Sequence, residues 1–519
     1  MLRLAFFDPV NWDYVIDTPR LRSLGGSQSG LCYLAEELVK LGHDVTLFNQ
    51  TQAPRRSRGV NCFNFAPIPR TEYAYFDAII ILNSGSQDLA RQIRSGTQGR
   101  TRIILWCQHN ADQPAVKDLT DPAAHDAWDA FVHVSEWQAE GYRQAFGIKP
   151  ERTTIIGNAI SPVFENLYPR PDTIASQKPW PPVLCYTSTP FRGLDVLLEA
   201  FPRIRAAIPG TTLKVYSSMN VYGIPAEQDA YAPLYERCRA TEGIEYIGSL
   251  PQPALAQELK NATCLAYPNT FAEGYCISVL EAMAAGCIVI TSDLGALRTT
   301  TAGFGHLLVP LPGKIEHAAQ FADLAVRVLN QSRSSPVEHA RRLAKQVRHV
   351  AQNGTWAVRA REWHEWLTAQ NDPRALIQRK DHTMDRLRIA NERRSPQMQA
   401  QASECIQFLE CYENFNYDIN SNGERFVLET LSRRQLSCIF DVGANIGTWA
   451  LLANQYHPNA KIHCFEITPP IGKTLKERTK GFSNIIVNDF GLADREGEIP
   501  LKFYPQAGAA SSIIDFPHP

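Results

Sequence analysis

The sequence predicts an α/β protein built on parallel sheets, and three stretches carry that expectation. Leu2 to Phe7 is a short apolar strand, followed by the glycine-bearing loop Leu24–Gly30, a helical pattern over Leu31–Gly42 and a second strand at His43 to Phe48. Strand, loop, helix and strand make one βαβ unit, and such units build parallel sheets. The order returns at Val183–Thr187, where the turn Ser188–Gly193 leads into the amphipathic pattern of residues 194–209. It returns again at 438–448, with a helix over Trp449–Gln455 and a strand over Lys461–Phe465.

A chain of 519 residues is too long for one core, so two to four domains are expected. The expected boundaries are 1–165, 166–370, a helical linker over 371–414, and 415–519. Hydrophobic content of 44% and charged content of 20% are those of a soluble globular protein. The net charge of −1 gives no general electrostatic attraction for nucleic acid or an anionic membrane. Twelve cysteines are scattered without a C-x-x-C pair, as expected for buried thiols in a cytoplasmic protein rather than disulfides or zinc ligands. No secretory leader is read at the N-terminus. The apolar run Ala78–Leu82 is far short of a transmembrane segment, which leaves room only for peripheral membrane contact. Oligomeric state is not legible.

Further strands are expected in the first domain at Phe76–Leu82, Ile103–Cys107 and Ala130–Val134. Gly25 and Gly26 let the backbone approach a ligand closely, and Ser27 is expected to cap the helix after them. Gly-Gly also occurs in ordinary turns. His109 lies just past a strand, at the carboxyl end where ligands of parallel sheets bind. A hydrogen-bonded loop histidine is the alternative there, and His43 reads as a structural turn residue.

After the proline-rich stretch Pro169–Pro182, strands are expected at Val183–Thr187, Leu213–Tyr216, Ile244–Ile247 and Cys264–Tyr267, with helix over Ile315–Leu367. The segment Pro268–Tyr275 and the eighteen residues after it are the most specific stretch. Glu273 falls in a turn next to Gly274, and Glu281 falls inside an apolar-periodic helix over Ile277–Ala285. A buried strand follows at Cys287–Ile290. Glu273 is therefore expected at a helix N-terminus and Glu281 about two turns further on. A helix N-terminus favours phosphate, and carboxylates accept hydrogen bonds from sugar hydroxyls. Two solvated glutamates on a surface helix are the alternative.

This string resembles the E-x7-E signature of family 4 glycosyltransferases of the GT-B fold, which has two Rossmann-like domains. The resemblance covers about residues 1–370. It implies that Glu273 lies against the donor sugar, Glu281 binds the donor ribose, and the backbone after Gly274, with Tyr275, faces the diphosphate. Gly25 and Gly26 match the loop facing the donor phosphate across the cleft. His109 matches a histidine beside the donor sugar, and Ser249 a turn near the base. The segment around Asn158 and the helix with Trp356 and Trp363 match the closing parts of the two domains. Many members carry an arginine and then a lysine five residues on. Here Arg192 stands at the lysine position and Thr187 at the arginine position, so one cation is missing. The resemblance implies a nucleotide-sugar donor, a glycan or polysaccharide-precursor acceptor, and retention of anomeric configuration. It implies catalysis by Glu273, Arg192 and His109 without a metal. A nucleotide-sugar epimerase of the same fold and a sugar-nucleotide-binding module without activity are the alternatives.

In the tail, Asp441, Gly443, Asn445 and Gly447 form an apolar strand entering a glycine turn, and Glu466 ends the next strand. An acid there can take both ribose hydroxyls of a nucleoside. The segment, with Ala510–Ser512, resembles S-adenosylmethionine methyltransferases of the FkbM family. The implied cofactor is S-adenosylmethionine. With room for about three strands and two helices, the tail reads as a partial methyltransferase domain whose remaining strands are absent.

Overall fold

A computed structural model describes residues 1–369, 387, 419, 423–492 and 497–498. The chain divides into two compact units, Met1–Glu392 and Arg393–Pro519.

The first unit holds two parallel sheets. Strands β1 (Arg3–Phe7), β2 (Asp44–Asn49), β3 (Arg55–Ser57), β4 (Val60–Asn64), β5 (Ala78–Leu82), β6 (Arg102–Cys107), β7 (Ala130–His133) and β8 (Thr153–Ile155) form the first. Its spatial order is β3-β4-β2-β1-β5-β6-β7-β8. The central strand β5 is the run Ala-Ile-Ile-Ile-Leu, buried at every position, as a parallel sheet covered on both faces requires. The pair β3–β4 is antiparallel and was not expected from the sequence. Its turn is Arg58-Gly59, both at positive φ (50° and 83°), which suits the twist of a two-residue hairpin.

The second sheet contains β9 (Val183–Tyr186), β10 (Thr212–Val215), β11 (Ile244–Tyr246), β12 (Cys264–Tyr267), β13 (Ile288–Ser292) and β14 (His306–Leu308), ordered β11-β10-β9-β12-β13-β14. The expected helical run beyond residue 315 is three helices, Lys314–Ser334, Pro336–Asn353 and Trp356–Ala369. Pro336 opens the second of these, where its missing N–H costs nothing.

The helix Trp356–Ala369 follows the second sheet in sequence but packs in the core of the first. Trp356, Ala360, Trp363 and Leu367 join Leu4, Phe6 and Trp106 there. Trp106 meets Trp363 edge to face, with ring centroids 5.5 Å apart. Gly30 makes this approach possible, because a Cβ at that position would stand 3.0 Å from the Trp356 ring. His43 ties the same helix to β1. It accepts from Leu2 N at 3.2 Å and meets His364 at 2.9 Å. Burial, with His364 adding to it, pushes the His43 imidazole down to about 4, so His43 makes this contact as a neutral ring.

The second unit has one three-stranded parallel sheet, β15 (Cys438–Val442), β16 (Lys461–Phe465) and β17 (Ile485–Asn488), in that order. Helices Glu424–Leu431, Thr448–Tyr456 and Pro469–Thr479 accompany it. Its buried cluster is small, and Phe440 and Val442 are each 62% exposed. The expected helical linker over 371–414, except Leu387, and the Ala510–Ser512 string lie outside the described residues. The described cysteines are free thiols, all buried except Cys438.

The returning helix should bear heavily on stability. Trp363→Ala removes a side chain with no exposed surface and is expected to cost about 3–5 kcal/mol in chemical denaturation. A variant as stable as the parent would show that the helix is not part of the core.

Candidate functional site

The carboxyl ends of the two sheets of the first unit face one cavity of about 810 Å³. Gly25, Gly26, His109, Arg192, Ser249, Glu273, Gly274, Tyr275 and Glu281 all line it. The loops after β1, β5 and β6 supply one wall, and those after β9, β10, β11 and β12 supply the other. Parallel sheets place ligands beyond these strand ends.

Arg192 and Glu273 meet directly. Arg192 Nη1 donates to Glu273 Oε1 at 2.9 Å and to Oε2 at 3.1 Å, and the Tyr267 hydroxyl donates to Oε1 at 2.6 Å. The guanidinium also lies 4.7 Å from the Phe271 ring centroid. Its Nε is buried without a partner. Burial opposes the charge on Arg192, but the Glu273 carboxylate outweighs it and holds the guanidinium above its ordinary range. Gly193 sets this geometry. It has φ 100°, and a Cβ there would stand 2.1 Å from the Pro268 carbonyl oxygen. Only glycine lets the turn carrying Arg192 touch the segment carrying Glu273.

Two sequence expectations need correction here. The helix runs Ile277–Ala284 with Cys276 as its N-cap, so Glu273 lies before the helix and not at its N-terminus. Glu273 bridges Gly295, and its carbonyl accepts from Ala296 N at 2.7 Å, which ties the segment before the helix to the loop after β13. Glu281 then stands little more than one turn into the helix. It is 4% exposed and accepts from Ser161 N at 3.3 Å. Burial pushes its carboxyl up to about 8, against hydrogen bonds from Ser161 and Gln252. The surface-helix alternative is therefore excluded by its burial.

Across the cavity, the helix Gly26–Lys40 begins at Gly26, earlier than the periodicity from Leu31 suggested. Gly25 is its N-cap, so Ser27 lies inside the first turn and does not cap it. A Cβ on Gly26 would reach the Ile277 side chain at 3.6 Å, so the two helix N-termini confront each other over a short gap. His109 keeps a neutral ring, because burial first and nearby Arg192 second lower its affinity for a proton. Its Nδ1 is buried without a partner, while its carbonyl accepts from Gln138 and Tyr142. Thr187, at the position of the missing cation, is buried, and its carbonyl accepts from Ser278 at 2.7 Å. Among the described lining residues, Arg192 is the only arginine or lysine. No group of three His, Cys, Asp or Glu among the described residues is arranged as metal ligands.

Several site residues escaped the sequence reading. Ser135 Oγ donates to the Gly274 carbonyl at 2.7 Å, Asn110 donates to the Ala272 carbonyl, and Ser23 meets Ser249 at 3.3 Å. These bonds join the two walls. Trp12 stacks on Tyr222 across the cavity mouth, with centroids 6.3 Å apart and planes 29° apart. Asn83 sits at the end of β5 with φ 60°, an uncommon backbone state for a residue other than glycine. Its one available signal was its place just past an apolar strand. Asp8, at the end of β1, is buried and accepts from Tyr14 at 2.5 Å and Gln28 at 3.2 Å.

In the second unit, Gly443 and Gly447 adopt φ 79° and 82° around Asn445 at 46°. Glu466 accepts from Asn445 N at 2.9 Å and Thr468 N at 2.8 Å, so each carboxylate oxygen is tied to backbone. Burial pushes the Asp441 carboxyl up to about 6, with Glu424 and Glu466 adding to the effect.

Residues 181–331 match the family model described as Glycosyl transferases group 1. A phosphatidyl-myo-inositol mannosyltransferase of Mycobacterium tuberculosis is 29% identical over 34% of this chain and 41% of its own length. The match thus spans under half of that relative's length. One of the same description from Propionibacterium freudenreichii is 26% identical over 62% of this chain and 87% of its own. Among solved structures, a glycosyltransferase from Rickettsia africae superposes with TM-score 0.52 at 13% identity, covering 71% of this chain and 100% of that one. Anabaena HepE in complex with UDP-glucose gives TM-score 0.52 at 14% identity, with the same coverages. These structures bear on the fold alone. Residues 181–331 are thus similar to group 1 glycosyltransferases, and the first unit shares its fold with solved glycosyltransferases.

Proposed function

We propose that this chain transfers a glycosyl residue from a nucleotide-diphosphate sugar to an acceptor hydroxyl in the cavity between the two sheets, with retention at the anomeric carbon and without a metal. The observation that carries this reading is the clustering of charge. Arg192 and Glu273 pair just before one helix, Glu281 stands in its second turn, and the N-terminus of that helix faces the N-terminus of another across the cavity. Free N–H groups and half a positive charge at each terminus suit a diphosphate lying between them. Glu281 takes the ribose hydroxyls. Glu273 lies against the sugar and orients Arg192, with Tyr267 as its third partner. Arg192 and the backbone beyond Gly274, including Tyr275, stabilise charge on the diphosphate as its bond to the anomeric carbon breaks. His109, held neutral, lies beside the sugar, and Gly25, Gly26 and Ser249 border the phosphates and base. The names of the mannosyltransferase relatives favour a hexose donor and a glycan or lipid-linked acceptor. Neither an epimerase nor an inactive binding module is favoured by the relatives found. A nucleotide-sugar panel read by thermal shift and donor cleavage tests the reading. No stabilisation and no cleavage with any member would reject it.

For the second unit we propose a nucleoside site of the S-adenosylmethionine type, part of a methyltransferase domain. Its support is the fixed position of Glu466 beside the glycine turn of Asp441, Gly443, Asn445 and Gly447. Titration of the full chain with S-adenosylmethionine should show binding that Glu466→Ala removes, and equal affinity in both proteins would reject the site.

At a pH above about 8, where the Glu281 carboxyl is ionised, Glu281→Ala is expected to weaken donor binding by about 1.5–3 kcal/mol, the range for hydrogen bonds to a charged group, in isothermal titration. Arg192→Ala should lower donor cleavage far more than Arg192→Lys, and a chelator should leave the parent's turnover unchanged. Turnover lost to chelator and restored by magnesium would overturn the metal-free mechanism.

The raised pKa of Glu281 gives a signed pH dependence. Unfolded chain releases this proton near the ordinary value of 4.5, whereas the folded protein keeps it to about 8. Stability from this group is therefore full below the lower value and falls as pH rises through the window. Glu281→Gln should remove that part of the decline in denaturation midpoints. A donor bound to the ionised carboxylate should bind more tightly as pH approaches 8, and this trend should vanish in the same variant.

A further inference from the structure

The two walls of the cavity differ in charge. Arg192, Glu273 and Glu281 all belong to the wall of the second sheet. Among the described residues, the wall of the first sheet presents no Asp, Glu, Lys or Arg. Away from the Gly25–Gly26 terminus, which confronts Ile277, that wall offers the Trp12 ring, the amides of Asn83 and Gln113 and the hydroxyl of Ser84. Asn83 accepts at Oδ1 from Gln108 N at 2.8 Å, which leaves its amide NH2 as the donor at the wall. Behind the wall stands the buried Asp8, with Oδ1 unpartnered.

From this we infer that the acceptor group entering the cavity is an uncharged sugar or polyol, held by stacking on Trp12 and by amide and hydroxyl groups, and not a phosphate-bearing headgroup. The inference rests on the proposed glycosyl transfer and names its acceptor class. A phosphate on the acceptor would be desolvated with no side-chain cation on this wall to meet it, since Arg192 is engaged by Glu273 and the donor diphosphate. Burying an unpaired charge costs several kcal/mol. Neutral hydroxyls find donors and acceptors of matching polarity, and the apolar face of a sugar ring covers Trp12.

The test uses the full chain with the nucleotide sugar that it cleaves. Neutral p-nitrophenyl hexosides are compared with their 6-phosphates and with vesicles containing phosphatidylinositol, and donor cleavage without acceptor is followed in parallel. Neutral acceptors should be used, with kcat/KM at least about tenfold above their phosphorylated counterparts. Trp12→Ala should raise the neutral acceptor's KM. Ser84→Arg, which puts a cation on the neutral wall, should narrow or reverse the preference. Preferred use of a phosphorylated acceptor or of phosphatidylinositol overturns the inference, as does donor cleavage without transfer to any neutral acceptor. Absence of donor cleavage altogether would defeat both this inference and the glycosyl-transfer reading beneath it.

Discussion

The site depends on one close backbone contact. Gly193 lies against the Pro268 carbonyl in a conformation that no side chain would allow. That contact brings the turn after β9 onto the segment after β12, and it makes the 81-residue separation between Arg192 and Glu273 irrelevant. The ion pair that results is largely withdrawn from water, where breaking it by removing one partner leaves an uncompensated charge. Tyr267 and Phe271 complete the enclosure from the same segment.

Around this pair the molecule divides its labour by electrostatics. The second sheet supplies the charged side chains and the helix Ile277–Ala284. The first supplies glycines, amides and an aromatic face, and its helix Gly26–Lys40 contributes a terminus rather than a side-chain charge. Holding the two walls in register falls to the bonds from Ser135 and Asn110 to the Ala272–Gly274 backbone. The helix Trp356–Ala369 adds to them by returning to the core of the first sheet. Gly274 is needed there, since a Cβ would stand 2.9 Å from Asn110 Oδ1. Among the described residues no helix is long and apolar enough to cross a membrane.

What could be read from sequence was what local pattern encodes. Apolar runs such as Ala78–Leu82 and Cys264–Tyr267 announce buried parallel strands, and both occur within a residue or two of expectation. The fixed spacing of Glu273 and Glu281 placed both at one cavity. Their detailed settings were not legible, because the segment before Cys276 is fixed by Gly295 and Ala296, about twenty residues on. Strands β3, β4 and β14 were missed, and β3 and β14 have only three residues each, one set being Arg-Arg-Ser, which carry no periodicity. Trp12, Asn83 and Tyr222 were missed for a different reason. Each is a single loop residue after a different strand, and only the fold assembles them. In the second unit, the strand, glycine turn and acid were legible, whereas the stretches outside the described residues leave the rest of that domain without structural description.

Hydrogen exchange of the full chain, with and without a saturating nucleotide sugar, bears most directly on the central claim that a diphosphate lies between two helix N-termini. The account predicts slowed exchange in the first turns of Gly26–Lys40 and Ile277–Ala284 together. Unchanged exchange at both turns under saturation, or protection confined to other segments, would contradict it.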